Sequence, residues 1–449
     1  MVKRLVKKIR MENTHHSLID DGVPEHEQTL KLGKPFWVLF GGNMGLATWL
    51  MGVLVAGMGL DFTNGVIVIM LGAVVGSVLP ALTSIVGPRS RLSQMEAGRF
   101  ALGRAGKKLP AFLNWVSAIG WDVVNNVISG AALALMMSEF GFPIPLWVAF
   151  AILVSLQMLV GIYGHHLIQD VSKYTGPILG GSFVIIGIIA MHQSGPALTL
   201  AKTVPWKAIL SAFVLLVAYN IGWTTFTADY TRYLPKNTPS RLVFLQIFWS
   251  LFLSLAILGF FGFATASVVT DQTPEGVMKA IQGLTGHFAP LALFLIAFSS
   301  IPVNAINDNS AAYSIISTGF KFSRPTSAIF GALLGYFVCL AASSSFVEFF
   351  ENFLLLFAHW LTPWAAVILV HWFTVGKHEQ KTSSGLTVGT LVFCGISIAS
   401  LALFAANPLY TGPLADKMSG VDIGPYVGFF VAGSLYWVIL RFSNKKAYI

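Results

Sequence analysis

Long apolar segments alternate with short polar loops along almost the whole chain. A membrane-spanning helix needs about 20 apolar residues. Twelve segments meet this requirement, and they predict helices near residues 35–60, 63–88, 109–138, 142–163, 175–192, 206–228, 240–268, 288–318, 326–341, 345–375, 385–405 and 424–441. The longest polar stretch, residues 1–34, has mixed charge and no apolar core, so no soluble catalytic domain fits. The pattern predicts an all-α polytopic membrane protein.

Composition and charge support a polytopic membrane protein and predict which of its loops face the cytoplasm. Of the 449 residues, 55% are hydrophobic and 10% are charged, and a soluble protein could not bury so much apolar surface. With the N-terminus inside, 24 of the 28 Lys and Arg fall on the cytoplasmic side and 4 on the other. Because cytoplasmic loops retain positive charge, we predict a cell-membrane protein with both termini cytoplasmic. The net charge of +9 then reflects topology and does not imply nucleic acid.

Spans 1 and 6 share an interruption at mid-membrane depth. Both centre on Asn-x-Gly, at Asn43 and at Asn220. Glycine and a helix-weak amide favour an unwound stretch, whose backbone groups can contact a ligand or ion. Paired interrupted helices five spans apart are typical of inverted-repeat transporters, although small residues can also simply allow close helix packing.

The same offset of five pairs span 3 with span 8, which carry carboxylates and amides inside the membrane. Span 3 contains Trp121, Asp122 and Asn125, and span 8 contains Asn307 and Asp308. A carboxylate at the bilayer centre costs about 2.5–3.5 kcal/mol, so these residues should face a polar cavity. Helical periodicity puts Trp121 and Asn125 on one face, where a ring and an amide suit a flat heterocycle. Interhelical amide bonds are the structural alternative.

Other function classes find little support in the residues. The two cysteines, Cys339 and Cys394, are far apart and suggest neither a zinc nor a redox site. No phosphate-binding loop, His-Glu-x-x-His helix or Gly-x-Ser-x-Gly elbow occurs. We therefore expect no enzyme, no metal and no cofactor. A channel would favour rings from symmetric subunits, which these asymmetric amides do not resemble.

Three motifs resemble one transporter family. They are the segment Thr227–Pro235 after span 6, the loop 87–110, and Asn307-Asp308-Asn309 in span 8. Together with the twelve spans, they resemble the nucleobase–cation symporters of the purine–cytosine permease type. The likeness covers about residues 30–440.

The resemblance implies a five-plus-five inverted repeat of the LeuT type with broken helices 1 and 6. Spans 1–2 and 6–7 form a bundle, spans 3–4 and 8–9 form a scaffold, and two helices follow at the C-terminus. The predicted parts are an N-terminal tail 1–34, a transport core 35–375 with repeats 35–192 and 206–375, two added helices within 385–441, and a tail 442–449.

Family members hold a planar substrate between aromatic rings of spans 3 and 6 and bond it with amides of spans 3 and 8. Carried over, these roles fall on Trp121, Asn125, Asn307 and, in span 6, Tyr219 or Trp223. A second span 8 amide of some members is replaced here by Ala311. With the amides of the interruptions, the predicted substrate contacts are Asn43, Trp121, Asn125, Tyr219, Asn220, Trp223, Asn307 and Asn309.

The coupling ion is where the chain departs from sodium-dependent relatives. Their hydroxyls before the span 8 amide are replaced by Ala305 and Ile306, although Ser310 could compensate. This favours protons, with Asp122 and Asp308 as carriers. Asp229, near Arg232 at the cytoplasmic end, is predicted to form a gate or a fold-stabilising pair.

The predicted function is import of a nucleobase, cytosine or a purine, by alternating access together with a cation. The proton is favoured over sodium. The alternative is another small heterocycle on the same scaffold, namely hydroxymethylpyrimidine, hydantoin or allantoin. The expected partners are this substrate, the ion and the lipid bilayer, and the expected functional unit is a monomer.

Overall fold

The structure, a computed structural model, describes most of the chain. It covers residues 22–163, 165–194, 204–320, 324–375, 382–407 and 410–442. The predicted tails therefore fall largely outside the described residues, as does Lys202, one of the four basic residues assigned to the far side.

Helices dominate the described chain, and each of the twelve predicted spans coincides with at least one of them. The helices are α1 Lys34–Asn43, α2 Leu46–Gly57, α3 Phe62–Ser84, α4 Val86–Ser90, α5 Gln94–Ala97, α6 Arg99–Gly106, α7 Lys108–Glu139, α8 Leu146–Tyr163, α9 His165–Ser194, α10 Trp206–Ile221, α11 Thr227–Thr231, α12 Ser240–Ala264, α13 Pro274–Thr285, α14 Ala289–Ser317, α15 Arg324–Ala342, α16 Phe346–Thr374, α17 Val388–Phe404, α18 Pro413–Lys417 and α19 Gly424–Phe442. Two short strands, β1 Ala406–Asn407 and β2 Tyr410–Thr411, pair antiparallel.

Eight helical stretches of the described residues are long and apolar enough to cross a membrane, and the bent pair α1–α2 makes nine. One of these stretches, 326–374, contains the two consecutive helices α15 and α16, and α8 and α17 are shorter apolar helices. The fold is therefore that of a polytopic helical membrane protein, as predicted. The count of twelve spans stays a prediction.

Both predicted interruptions are visible in the backbone. Helix α1 ends at Asn43 and α2 begins at Leu46, with the axes bent by 52°. Gly45 between them is fully extended, at φ −144° and ψ 171°. In span 6, α10 ends at Ile221 and a 3-10 turn, Gly222–Thr225, follows before α11. These breaks leave backbone N–H and C=O groups without helical hydrogen-bond partners at membrane depth. Such groups are tolerated there only where they are buried in protein or line a cavity.

The helices pack as two groups that correspond to the predicted bundle and scaffold. Helices α2, α3, α10 and α12 pack together, and α7, α8, α14 and α15 form the second group. The most extensive helix contact of the described chain joins α7 to α14, the predicted spans 3 and 8. Helices α17 and α19 pack on α16 and on each other at the C-terminal end. The carboxylates and amides of spans 3 and 8 are thereby placed on facing helices.

Small residues allow the closest crossing in the bundle, between α2 and α12. A Cβ atom added at Gly262 would lie 1.9 Å from the carbonyl oxygen of Trp49, and one added at Gly52 would lie 2.0 Å from that of Gly259. No side chain fits at such distances. Close backbone approach through small residues is a common way to pack helices in lipid, where no hydrophobic force draws them together.

The N-terminal segment 22–33 lies as a strap across the helix ends that are predicted to be cytoplasmic. The side-chain amide of Gln28 donates to the carbonyl oxygens of Pro88, Arg232 and Leu234, at 2.9, 3.0 and 2.9 Å. The backbone N–H of Leu30 donates to the carbonyl of Tyr233 at 3.0 Å. The strap therefore joins the loop after span 2 to the segment after span 6.

Candidate functional site

A cavity opens between the two helix groups, beside both interruptions. Its lining residues are Gly42, Trp121, Asn125, Tyr219, Gly222, Trp223, Phe226, Val303 and Asn307. It holds about 330 Å³ of space between atoms, part of it open to solvent. Aromatic walls with a few amides suit a small planar molecule.

Trp121 is held firmly at the wall of this cavity. Its ring meets the rings of Tyr219, Phe350 and Phe353 edge to face, with centroids 5.6, 6.4 and 5.3 Å away. On the α10 side the ring lies directly against Gly222, where a Cβ atom would come within 2.6 Å of Trp121 Cζ2. Edge-to-face packing on one side and glycine on the other fix the position of this indole.

The amides of α7 and α14 form one network at the side of the cavity. Asn304 Oδ1 accepts from Asn125 Nδ2 at 2.9 Å and from Asn307 Nδ2 at 3.3 Å. Asn304 Nδ2 donates to Gln157 Oε1 at 2.7 Å and to Asn126 Oδ1 at 3.1 Å. Because both the oxygen and the nitrogen of the Asn304 side chain are hydrogen-bonded, Asn304 orients the two amides that line the cavity, Asn125 and Asn307.

This network determines which polar groups the cavity presents. Both hydrogens of Asn307 Nδ2 are used, by Asn304 Oδ1 and by Asp122 Oδ1 at 3.1 Å. The remaining hydrogen-bonding atom of Asn307 is its carbonyl oxygen, an acceptor. Asn125 uses one N–H on Asn304 and keeps one donor and one acceptor. A ring edge that alternates donors and acceptors is complementary to this set.

The two carboxyl groups predicted from the sequence both lie buried next to Asn307. Asp122 and Asp308 are 2% and 3% exposed. Asp122 accepts from Asn307 Nδ2, as described above. Asn307 thus touches the cavity on one side and Asp122 on the other.

Side chains of the two interruptions bond to one another. Asn43 donates to Asn220 Oδ1 at 3.2 Å and to Ser254 Oγ at 2.8 Å, and it accepts from Trp223 Nε1 at 3.1 Å. Asn220 Nδ2 donates to Ser77 Oγ at 2.9 Å. These contacts tie the break in span 1 to the break in span 6.

The segment after span 6 packs against the site on the side that is predicted to be cytoplasmic. Asp229 accepts from the backbone N–H of Gln94 at 2.8 Å and from the hydroxyl of Ser310 at 2.7 Å. Arg232 instead lays its guanidinium 4.3 Å from the ring centre of Tyr313, and its Nε and Nη1 have no hydrogen-bond partner among the residues described. Asp229 therefore hydrogen-bonds to α5 and α14, while the nearby charge of Arg232 favours its ionised form, so the predicted Asp229–Arg232 pair stays a prediction.

A second cavity continues from the first one beyond the interruption of span 1. The two share Gly42, Asn125, Tyr219 and Val303. The polar residues that line only the second cavity are Thr48, Ser129, Ser299 and Ser300. In the predicted orientation these residues lie towards the outside of the cell.

Of the eight predicted substrate contacts, five line the first cavity, namely Trp121, Asn125, Tyr219, Trp223 and Asn307. The other three do not line either cavity. Asn43 and Asn220 bond each other, and Asn309 donates to the hydroxyl of Tyr230 at 3.5 Å. These three amides are used within the protein, which speaks against their predicted role.

The structure also shows where Ser310 lies and which residues near the cavity were not predicted from the sequence. Ser310, predicted as a possible cation ligand, is fully buried on Asp229 away from both cavities. The sequence reasoning missed Gly222 and Phe226 in the lining and Gln157 behind it. Gln157 carried a usable signal, since it is an amide inside the apolar span 142–163.

Comparison with known proteins identifies the family. The model of a family described as permease for cytosine/purines, uracil, thiamine, allantoin matches residues 22–406. The chain belongs to this family. The nucleobase–cation symporter resemblance is thereby confirmed, and the chain is a multi-pass membrane transporter of the nucleobase type rather than an enzyme.

Three curated relatives illustrate the range of the family. A putative purine-cytosine permease of Bacillus subtilis, YxlA, is 26% identical over 94% of this chain and 95% of its own. The purine-cytosine permease fcyB of Emericella nidulans is 23% identical over 94% and 88%. The vitamin B6 transporter TPN1 of Saccharomyces cerevisiae is 27% identical over 72% of this chain, which spans 58% of that relative.

Solved structures confirm the fold. Mhp1, a nucleobase-cation-symport-1 family transporter in a closed conformation with bromovinylhydantoin bound, matches with a TM-score of 0.76 at 18% identity, covering 94% of each chain. Its inward-facing conformation matches less well, with a TM-score of 0.68 at 16% identity, covering 92% of this chain and 90% of that one.

Proposed function

We propose that this protein imports a nucleobase, cytosine or a purine, together with a proton by alternating access. The observation that carries the proposal is the cavity edge formed by Asn125 and Asn307 beside Trp121. It offers an acceptor from Asn307 and one donor and one acceptor from Asn125. A nucleobase edge combines amino or ring N–H donors with ring N and carbonyl acceptors on a flat ring.

Several features support transport of the substrate into the cell. The second cavity extends from the site towards the predicted outer side, while Asp229 and Tyr230 close the inner side. A co-transported positive charge gains about 2.3 kcal/mol per 100 mV, enough for roughly 50-fold accumulation. We place the protein in the cell membrane with both ends in the cytoplasm, acting as a monomer.

Protons are favoured over sodium as the coupling ion. Hard cations need several oxygen ligands. The two positions before Asn307 are Ala305 and Ile306, and the hydroxyl of Ser310 is committed to Asp229. Asp122 and Asp308 supply buried carboxyl groups next to the site instead.

The alternative is another small heterocycle, such as hydroxymethylpyrimidine, hydantoin or allantoin. These molecules also carry N–H and C=O groups at the edge of a ring, so the same amides could bind them. Relatives named for vitamin B6 and for purine and cytosine show how varied the family's substrates are.

The test is uptake of labelled cytosine into cells that express the protein, with vector cells as the control. Excess unlabelled adenine, guanine, hypoxanthine, uracil, allantoin and hydroxymethylpyrimidine are added singly as competitors. Saturable uptake that cytosine or purines block supports the proposal. No uptake of labelled cytosine, adenine, guanine or hypoxanthine above control, with the protein present in the membrane, refutes the nucleobase assignment. Direct uptake of the other labelled heterocycles then tests the alternative.

A further inference from the structure

Asn304 is a fully buried amide on α14 that lines neither of the two cavities described above. Its side-chain nitrogen lies 3.4 Å from the backbone carbonyl oxygen of Asp122 and 2.7 Å from Gln157 Oε1. A backbone carbonyl only accepts hydrogen bonds, so the atom of Asn304 that faces it must be the nitrogen. The other end of this amide, which faces the substrate cavity, is therefore the oxygen.

This oxygen fixes the direction of the two amides that line the cavity. It accepts from Asn125 Nδ2 at 2.9 Å and from Asn307 Nδ2 at 3.3 Å, so both amides must turn their nitrogens towards it. The second N–H of Asn307 goes to the carboxyl group of Asp122 at 3.1 Å. Asn307 then presents only its oxygen to the cavity, and Asn125 presents one N–H and one oxygen.

The other polar side chains of the lining add no free donor to this set. The indole N–H of Trp223 donates to Asn43 Oδ1 at 3.1 Å, and the indole nitrogen of Trp121 is buried in the wall. The hydroxyl of Thr48 donates its one hydrogen to the carbonyl of Asn43 at 2.5 Å, so the Tyr219 hydroxyl, 2.7 Å away, donates to Thr48. The side chains of the first cavity thus offer a substrate a single N–H donor, that of Asn125.

Asn126 shows that this direction is imposed on the network. Its oxygen accepts from Asn304 Nδ2 at 3.1 Å, and its own nitrogen has no hydrogen-bond partner among the residues described. A buried N–H group without an acceptor is costly. Turning the Asn126 amide round would place two nitrogens against each other, so the network keeps the unpaired group and its direction.

We propose that Asn304 is a positioning residue that restricts the substrates to heterocycles with at least two N–H bonds and one acceptor. This inference deepens the proposed function, on which it rests for transport itself. Two amide oxygens in the cavity need donors, and the one free N–H of Asn125 needs an acceptor. Cytosine, adenine and hydantoin meet this requirement. Their analogues with a single N–H bond, namely 2-pyrimidinone, purine and oxazolidine-2,4-dione, leave one amide oxygen without a donor.

Paired competitors test this requirement on the wild-type protein. Uptake of the labelled heterocycle that the protein transports is measured against rising concentrations of cytosine or 2-pyrimidinone, adenine or purine, and hydantoin or oxazolidine-2,4-dione. Within each pair the ring keeps its size and loses donors. We expect the member with a single N–H bond to compete about 5- to 150-fold less well, because a buried acceptor stays unpaired. Equal competition within the pair that matches the transported ring overturns the inference.

Two substitutions at Asn304 separate positioning from packing. Asn304→Asp keeps an oxygen towards Asn125 and Asn307, whereas Asn304→Leu has a similar size and no oxygen. We expect the preference within each pair to fall towards equality in Asn304→Leu and to be retained better in Asn304→Asp. A residue that only packs gives the opposite order, because burying a carboxyl group costs more than burying leucine. That opposite order overturns the inference.

The matched control is Asn114→Leu. Asn114 is another fully buried amide between the same two helices, and it donates to Ser314 Oγ at 2.8 Å away from both cavities. We expect its loss to leave the preference within each pair unchanged. Transport of hydantoin but not of nucleobases, with the preference present, refutes the nucleobase assignment and supports the inference. Nucleobase transport without the preference does the reverse.

Discussion

Replacing Gly222 by alanine should narrow the substrate cavity through Trp121. The new Cβ atom would lie 2.6 Å from Trp121 Cζ2. Carbon atoms in contact prefer about 3.5–4.0 Å, so the two must separate by about 0.9–1.4 Å. Trp121 cannot retreat freely, because Phe350 and Phe353 pack against its other edges.

The expected size of the effect follows from the cost of overpacking. Extra methyl groups in a packed core cost about 1–3 kcal/mol, which corresponds to about 5- to 150-fold in affinity. We expect Gly222→Ala to raise the half-saturation concentration for uptake within this range while membrane abundance stays near normal. The assay is initial-rate uptake over a range of substrate concentrations, with abundance measured in the same cells by a fluorescent tag.

Two further variants test whether the effect comes from the contact between Trp121 and Gly222. Gly395→Ala is the matched control, because nothing lies within 4 Å of a Cβ atom there and the position is exposed on α17. The double variant Gly222→Ala with Trp121→Phe removes the ring atoms that clash, so its half-saturation should be lower than the two single effects added together predict. An unchanged half-saturation in Gly222→Ala would refute the claim that the Trp121–Gly222 contact sets the width of the cavity.

Three further variants test other contacts. Trp121→Ala should raise the half-saturation concentration by about 5- to 150-fold, since stacking on a base contributes about 1–3 kcal/mol; unchanged uptake kinetics would make this ring a packing residue. Glu96→Ala leaves the buried ammonium of Lys107 unpaired and should cost about 3–5 kcal/mol of stability, seen as a lower melting temperature in detergent. Gly262→Ala forces a Cβ atom onto the carbonyl of Trp49 and should reduce monodisperse protein on gel filtration, whereas a normal profile would contradict the tight crossing.

The helices and their breaks could be predicted from the sequence because few backbone conformations are stable in lipid. Backbone groups inside a membrane must be satisfied within the helix, so apolar length predicts a span. Asn-x-Gly inside such a span predicts a weak point, and the structure interrupts the helix at Asn43 and changes it to a 3-10 turn after Ile221. Along the regular helix α7, periodicity also placed Trp121 and Asn125 correctly on one face.

Periodicity gives no guidance where a helix is broken, and two of the three predicted contacts that line neither cavity lie at the breaks. Asn43 and Asn220 lie at the interruptions, where no regular rotation per residue says which way an amide points, and they bond each other. The hydrogen bond from Asn307 to Asp122 joins residues on two helices, and sequence spacing carries no information about their distance. Gln157 could have been noticed as an amide inside an apolar span, but its partner Asn304 lies on another helix and does not follow from sequence spacing.

The strap has a consequence for how the protein is made. Gln28 leaves the ribosome early, but its acceptor Arg232 lies 204 residues further along the chain. At about 5–20 residues per second, roughly 10–40 s of synthesis separate the two partners. The strap therefore stays undocked until Arg232 has been synthesised, and its docking is a late step that follows synthesis of helices α1–α11.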